Sequence, residues 1–130
     1  MIDFTSKQVG DFGERECAKY IKRIKKLKII GKNVMIGKLE ADIIATNDDY
    51  IVFVEVKTRR QDKQNLHRPA DAVDREKRLN LLNFANMYCK TLSKKHKDKI
   101  PRIDVCEVYI FADKKLHLSS LNYIENAVSR

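Results

Sequence analysis

The stretch Leu39–Arg60, LEADIIATNDDYIVFVEVKTRR, decides the fold. It predicts two strands, Glu40–Thr46 and Tyr50–Thr58, joined by the polar turn Asn47-Asp48-Asp49. The second strand is rich in β-branched and aromatic residues, which is typical of a buried strand. We therefore expect a hairpin whose second strand is buried.

Charged residues interrupt this apolar hairpin. Side chains alternate between the two faces of a strand, so Glu55 and Lys57 share one face and lie about 6.6 Å apart. In an antiparallel pair, Asp42 and Glu40 can lie opposite Glu55 or diagonally across from it. The sequence thus predicts two or three carboxylates and an ammonium on one patch of sheet.

This patch has two interpretations. Two close carboxylates are costly to ionise together unless a divalent cation lies between them, and Mg²⁺ or Mn²⁺ prefers oxygen ligands. A metal beside a lysine can activate water and neutralise charge on a phosphoryl group. The alternative is an internal salt bridge from Lys57 to Glu55 or Asp42. The residues alone leave both open.

Several motifs resemble one family. Gly10–Glu14 matches its G-x-x-G-E, and Leu39–Asp42 matches its G-E-I-D except that Leu39 replaces the glycine and Ala41 the isoleucine. Phe53–Arg59 matches F-V-E-V-K-x-R throughout, and Arg102–Val105 matches R-F-D-V. The chain resembles the small bacterial YraN-like family, which is similar to archaeal-type Holliday junction resolvases. Its Asp42…Glu55-x-Lys57 spacing resembles the PD-(D/E)xK signature of restriction-endonuclease-like nucleases.

The resemblance implies a fold and roles for residues. The fold is α/β, a restriction-endonuclease-like mixed β-sheet flanked by helices with an αβββαβ core. Asp42 and Glu55 would bind Mg²⁺ or Mn²⁺ with the carbonyl of Val56, and Lys57 would position or deprotonate the attacking water. Further members of the catalytic group would be Glu14, Glu40 and Lys77. The expected nucleic-acid contacts are Arg59, Arg60, Lys63 and Arg68.

Composition narrows the class of protein. A length of 130 residues predicts a single domain over residues 1–130, which the resemblance implies is a nuclease domain. The net charge of +9, from 27 basic and 18 acidic residues, favours a polyanionic partner, although a solvated lysine-rich surface would give the same charge. No apolar run is long enough to span a membrane, and no signal peptide is evident. The three cysteines form no metal motif and predict reduced, buried thiols in a cytoplasmic protein.

The remaining elements follow from periodicity. The N-terminal helix should be capped by Thr5 or Ser6, with Gly10 and Gly13 approaching the sheet closely. Asp104 is a candidate support for the acidic patch. The other predicted elements are a helix Lys7–Lys26, a strand within Leu27–Ile36 broken by a turn at Gly31–Asn33, a polar loop Arg59–Arg68, a helix Ala70–Lys94, strands Arg102–Ala112 and Leu116–Leu118, and a final helix Leu121–Val128.

Three functions are consistent with these features. The first is a Mg²⁺-dependent endodeoxyribonuclease that cleaves phosphodiester bonds, with branched or structured DNA as substrate. The second is a non-catalytic nucleic-acid-binding module that retains the nuclease fold. In the third, the basic face binds a protein or RNA and the acidic patch is structural. The resemblance to resolvases also implies a homodimer.

Overall fold

A computed structural model describes residues 3–61, 70–91 and 98–127, with backbone alone for residues 70–74 and 91. Two helices and five strands are formed by these residues. In chain order they are α1 (Ser6–Arg23), β1 (Lys28–Ile36), β2 (Leu39–Thr46), β3 (Tyr50–Arg60), α2 (Ala70–Thr91), β4 (Ile100–Ala112) and β5 (Leu116–Ile124).

The strands form one mixed sheet in the order β1-β2-β3-β4-β5. Only β3 and β4 are parallel, and the other neighbouring pairs are antiparallel. A parallel pair needs a crossover connection, and α2 lies in the segment that provides it. The predicted α/β class and its αβββαβ order are confirmed, and the arrangement is compatible with a restriction-endonuclease-like fold.

Strand β3 is buried on both faces because the two helices cover opposite sides of the sheet. Val52 and Val54 belong to a core cluster with Cys17 and Ile21 of α1, here called the α1 face. The other cluster, the α2 face, contains Ile51 and Phe53 of β3, packed with Leu81 and Phe84 of α2. All four of these β3 residues are fully buried. The first charged side chain of β3, Glu55, therefore enters a dry environment.

The predicted hairpin is confirmed. Ile43–Thr46 of β2 pairs with Ile51–Val54 of β3, and the Asn47 Oδ1 atom accepts hydrogen bonds from the N–H groups of Asp49 and Tyr50 in the turn. Helix α1 begins with Thr5 as its cap, since the Thr5 hydroxyl accepts from the Gln8 N–H and the Gln8 side chain accepts from the Thr5 N–H.

The predicted turn at Gly31–Asn33 is wrong. These residues lie inside β1, where Gly31 pairs with Ile44 and Lys32 with Ile43. A register shift between Ile29 and Gly31 marks a bulge, and Asn33 has a φ of 51°. Gly31 and Asn33 were interpreted as turn residues, but here they allow an irregular strand with a bulge.

The predicted final helix Leu121–Val128 is also wrong. Strand β5 continues from Leu116 through Ile124 beside β4. Leu121 and Tyr123, two residues apart, both pack on the core cluster of the α1 face. This spacing of two is the period of a strand and not of a helix. A register shift between Tyr109 and Ile110 accommodates the extra residue.

The close approach predicted for two glycines holds for one of them. A Cβ atom at Gly13 would lie 1.8 Å from Oγ1 of Thr58 on β3, whereas one at Gly10 would meet nothing within 4 Å. Gly13 therefore allows α1 to lie directly on β3. No helix formed by the described residues is long and apolar enough to span a membrane.

Candidate functional site

Asp42 lies where β2 separates from β3. The backbone pairing of these strands ends at Ile43 opposite Val54. One residue further, the Asp42 Oδ2 atom accepts a hydrogen bond of 2.8 Å from the Val56 N–H. The carboxylate thus takes the place of a backbone acceptor at the point where the strands diverge.

The same geometry orients the carbonyl group of Val56. In a strand, the N–H and C=O of one residue point to the same edge, which is why antiparallel partners can exchange both bonds. Since the Val56 N–H points to Asp42, its carbonyl also points to that edge. Val56 lies beyond the last residue paired with β2. A carboxylate and a main-chain oxygen therefore face one gap in the sheet.

The Asp42 carboxylate lies in an unfavourable electrostatic environment. Burial raises its pKa to about 7, and the negative charges of Glu55, Glu14 and Glu40 act in the same direction. The bond from Val56 opposes this rise. Near neutral pH, Asp42 therefore carries a proton for much of the time, and a cation in the gap would relieve the same repulsion.

Glu55 and Lys57 follow the apolar part of β3 and remain nearly inaccessible, with 9% and 8% of their surface exposed. Lys77 of α2 approaches from the α2 face, with its Nζ atom 3.8 Å from Glu55 Oε1. The Lys77 side chain is 56% exposed and Glu55 12%, so the cation contacts a nearly buried anion from the solvent side. The helix lysine thus contacts one carboxylate of the acidic patch.

Glu14 reaches the site from α1. Burial raises the pKa of Glu14, a hydrogen bond with Asn33 lowers it, and the charges of Asp11 and Glu40 raise it further. Gly13 fixes this part of α1 against Thr58, one residue beyond Lys57. Glu14 and Glu40 both act on Asp42 through their charge, but Glu40 is itself exposed.

The donor set suits a hard cation. Among the residues that the structure describes, no group of three or more His, Cys, Asp or Glu side chains is close enough together to hold a metal ion. The predicted set has two carboxylates, Asp42 and Glu55, and one carbonyl. Asp42 Oδ1 accepts no hydrogen bond from any described residue, which leaves this oxygen available to a cation. Oxygen donors of this kind fit Mg²⁺ or Mn²⁺ with several retained waters.

Of the four predicted nucleic-acid contacts, two lie within the described residues and two lie outside them. Arg59 is half-buried near the end of β3. Arg60 has an acidic neighbour, with Nη1 3.4 Å from Asp3 Oδ1, so it contributes less free positive charge than expected. Lys63 and Arg68 lie outside the described residues.

The prediction that Asp104 supports the patch is wrong. In the parallel register, Asp104 pairs with Val54, which faces α1, and not with Glu55. The carboxylate accepts two bonds of 3.0 Å from Arg102, one of 2.6 Å from the Tyr123 hydroxyl and one of 2.9 Å from the Asn126 N–H. This network on the α1 face anchors the end of β5.

Sequence comparison places the chain among relatives of similar length. The model of a family described as "Uncharacterised protein family UPF0102" matches residues 13–108, which include all the candidate catalytic residues. A UPF0102 protein of Caldanaerobacter subterraneus subsp. tengcongensis is 40% identical over 127 residues, covering 98% of this chain and 99% of the relative.

Two further relatives show similar coverage. A UPF0102 protein of Clostridium acetobutylicum is 36% identical over 122 residues, with 94% of each chain covered. One of Clostridioides difficile is 36% identical over 123 residues, covering 94% of this chain and 97% of its own. On these matches, the chain belongs to the uncharacterised family UPF0102, the YraN-like family that its motifs indicate.

Proposed function

We propose that this protein is a metal-dependent nuclease that hydrolyses phosphodiester bonds in cytoplasmic DNA, with branched or structured DNA as its substrate. One observation carries the proposal. Where β2 leaves β3, Asp42 is held by the Val56 N–H beside the nearly buried Glu55, and the negative charges of Glu55, Glu14 and Glu40 act on it. Such an acidic gap is costly for a purely structural site and useful for one that binds a cation.

The residues have separate tasks in this proposal. Asp42, Glu55 and the Val56 carbonyl would hold Mg²⁺ or Mn²⁺, which when bound supplies charge neutralisation and a more acidic water. Lys57 orients or deprotonates the water whose oxygen forms the new bond to phosphorus while the bond to the leaving oxygen breaks. Lys77 assists by contacting Glu55 and a phosphate oxygen. Glu14 and Glu40 tune the charge at Asp42.

A non-catalytic binding module is the second candidate. The contacts Asp42–Val56 and Lys77–Glu55 favour it, because they give each carboxylate an internal partner without any metal. A module of this kind would retain the positive charge and bind DNA without turnover. The proposed homodimer is compatible with either function.

A cleavage assay separates the two candidates. Linear, nicked, flapped and four-way DNA would each be incubated with Mg²⁺ or Mn²⁺ under single-turnover conditions. We expect cleavage of at least one substrate and a rate lower by about 10²–10³ in Lys57→Ala, with unchanged DNA affinity, because its interaction is strongest in the transition state. Lys77→Ala should cost less in rate, and Lys90→Ala, an exposed lysine of the same helix, should cost nothing.

Two results would contradict the nuclease. One is cleavage by Lys57→Ala at the wild-type rate. The other is binding of DNA by all variants without any cleavage, which would make the non-catalytic module the better description.

A further inference from the structure

A second charged region lies next to the Thr46 end of β2. Lys19–Lys28, KYIKRIKKLK, carries six cations and no acidic residue where α1 ends and β1 begins. The described carboxylates hold two of these cations, since Lys19 pairs with Glu16 and Lys25 with Glu125. The four others are exposed and form no ion pair within the described residues. They are Lys22, Arg23, Lys26 and Lys28, here called the basic end.

The sheet fixes the distance between the basic end and the site. Lys28 pairs with Thr46 at the last position of β2, and Asp42 lies four residues earlier on that strand. At about 3.3 Å per residue, Lys28 of the basic end is roughly 13 Å from Asp42 along the strand direction. A DNA strand advances about 3.4 Å per nucleotide along the duplex axis, so this distance spans about four nucleotides.

Lys26 has a backbone conformation that lysine rarely adopts. Its φ is 58°, in the left-handed region where glycine is favoured. The turn is well anchored, because the next residue, Leu27, is buried and donates a hydrogen bond of 3.1 Å to the Ile21 carbonyl. A glycine would make this turn more easily. An exposed lysine at a strained position is a feature that packing does not explain.

The exposed cations of α2 are more widely spaced. Its described side chains include Arg75, Lys77 and Lys90 as exposed cations, and Glu76, Asn80, Asn83 and Asn86 are exposed among them. Among the described residues, the basic end is therefore the denser positive surface. Asp48 and Asp49 lie in the turn at the same end as Thr46, but within the described residues neither pairs with the basic end.

We propose that the basic end binds the phosphate backbone of a DNA duplex and anchors it about four nucleotides from the site at Asp42. This inference rests on the proposed function for its partner. The partner follows from charge complementarity, because four exposed cations within seven consecutive residues form a concentrated positive surface that attracts phosphates. Contacts of this kind carry no sequence information and fix the position of the duplex relative to the reacting bond.

Anisotropy titrations of a labelled duplex in EDTA test the anchor without requiring cleavage. The variant Lys22→Gln/Arg23→Gln is compared with Lys114→Gln/Lys115→Gln, which removes two exposed cations from the β4–β5 turn. Each lost phosphate contact should weaken binding roughly eightfold at 0.1 M salt and reduce the slope of log affinity against log salt by about 0.9. Equal weakening by both variants would overturn the anchor.

Lys26→Gly separates binding from stability. We expect it to weaken DNA binding as one lost contact does, while its midpoint of thermal unfolding stays equal to or above that of wild type, because glycine relieves the left-handed strain. Unchanged DNA affinity in this variant would contradict the inference. Different results would contradict the DNA anchor and the nuclease function. Cleavage with full binding by the basic-end variants would overturn the anchor alone, and anchored binding without metal-dependent cleavage would overturn the nuclease alone.

Discussion

Two aspartates in the sheet, the buried Asp104 and the half-buried Asp42, have opposite surroundings. Asp104 is fully buried and accepts four hydrogen bonds, two of them from the guanidinium of Arg102. Asp42 accepts one bond from a main-chain N–H and lies near the negative charges of Glu55, Glu14 and Glu40. One carboxylate is fully compensated within the protein, and the other is left short of positive charge.

The difference shows that one carboxylate stabilises the fold, whereas the other is available for binding or chemistry. The Asp104 network ties β4 to the residues after β5 and leaves its carboxylate oxygens with no capacity for a ligand. The Asp42 environment raises the free energy of the native state, as its raised pKa shows. A protein retains such a group where the missing charge is supplied by something that binds.

The largest expected effect is on the compensated aspartate. Asp104→Ala leaves the Arg102 guanidinium, whose side chain is only 13% exposed, without its main partner. Breaking a buried pair by removing one partner typically costs about 3–5 kcal/mol in the free energy of unfolding. Denaturant unfolding would measure this loss. A cost below about 1 kcal/mol would show that the network is not structural.

The second effect is a dependence on pH at Asp42. The native state holds the Asp42 proton more tightly than the unfolded chain does, because its pKa is raised from 3.8 to about 7. Between these values the native state binds more protons, so the free energy of unfolding falls as pH rises, by roughly 4 kcal/mol at most.

Asp42→Asn provides the control for that dependence. Its amide oxygen can still accept the Val56 N–H, but it does not titrate. In EDTA, wild type should lose stability relative to this variant between pH 5 and pH 8. A constant difference between the two proteins over this range would contradict the raised pKa.

The smallest effect concerns one bond of the Asp104 network. Tyr123→Phe removes the hydroxyl that donates to Asp104 at 2.6 Å and keeps the ring that stacks on Tyr20. A hydrogen bond to a charged group contributes about 1.5–3 kcal/mol. Tyr109→Phe, on the neighbouring strand, is the matched control and should change the free energy of unfolding little. Equal effects of the two substitutions would mean that the Tyr123 bond contributes nothing specific.

The sequence predicted the centre of the fold better than its borders. The Asn47–Asp49 turn and strand β3 were predictable because apolar alternation and turn chemistry agree there. Strand β5 was not, because Ser119 and Ser120 resemble a helix cap and the pairing with β4 that decides the structure is not local. Gly31 and Asn33 were misread for a similar reason, since a bulge uses the same residues as a turn.

The sequence predicted which residues form the candidate site, but not how the strands arrange them. Asp42 and Glu55 follow from strand spacing and the family motifs, yet the gap between β2 and β3 that exposes Val56 has no local signal. Asp104 was assigned to the wrong face because only the parallel register with Val54 reveals its side of the sheet. The sequence offered two signs of a structural network around Asp104: Arg102, two residues earlier, and Tyr123.

Calorimetry with Mn²⁺ tests the central claim most directly. Wild type, Asp42→Asn, Glu55→Gln and Asp104→Asn would be titrated at pH 8 and again at pH 6. We predict binding by wild type at pH 8, weaker binding at pH 6 because the proton competes at Asp42, and loss of binding in Asp42→Asn and Glu55→Gln. Folded Asp104→Asn should bind like wild type. Equal Mn²⁺ binding by wild type and the two site variants would contradict the claim that the gap between β2 and β3 is a metal site.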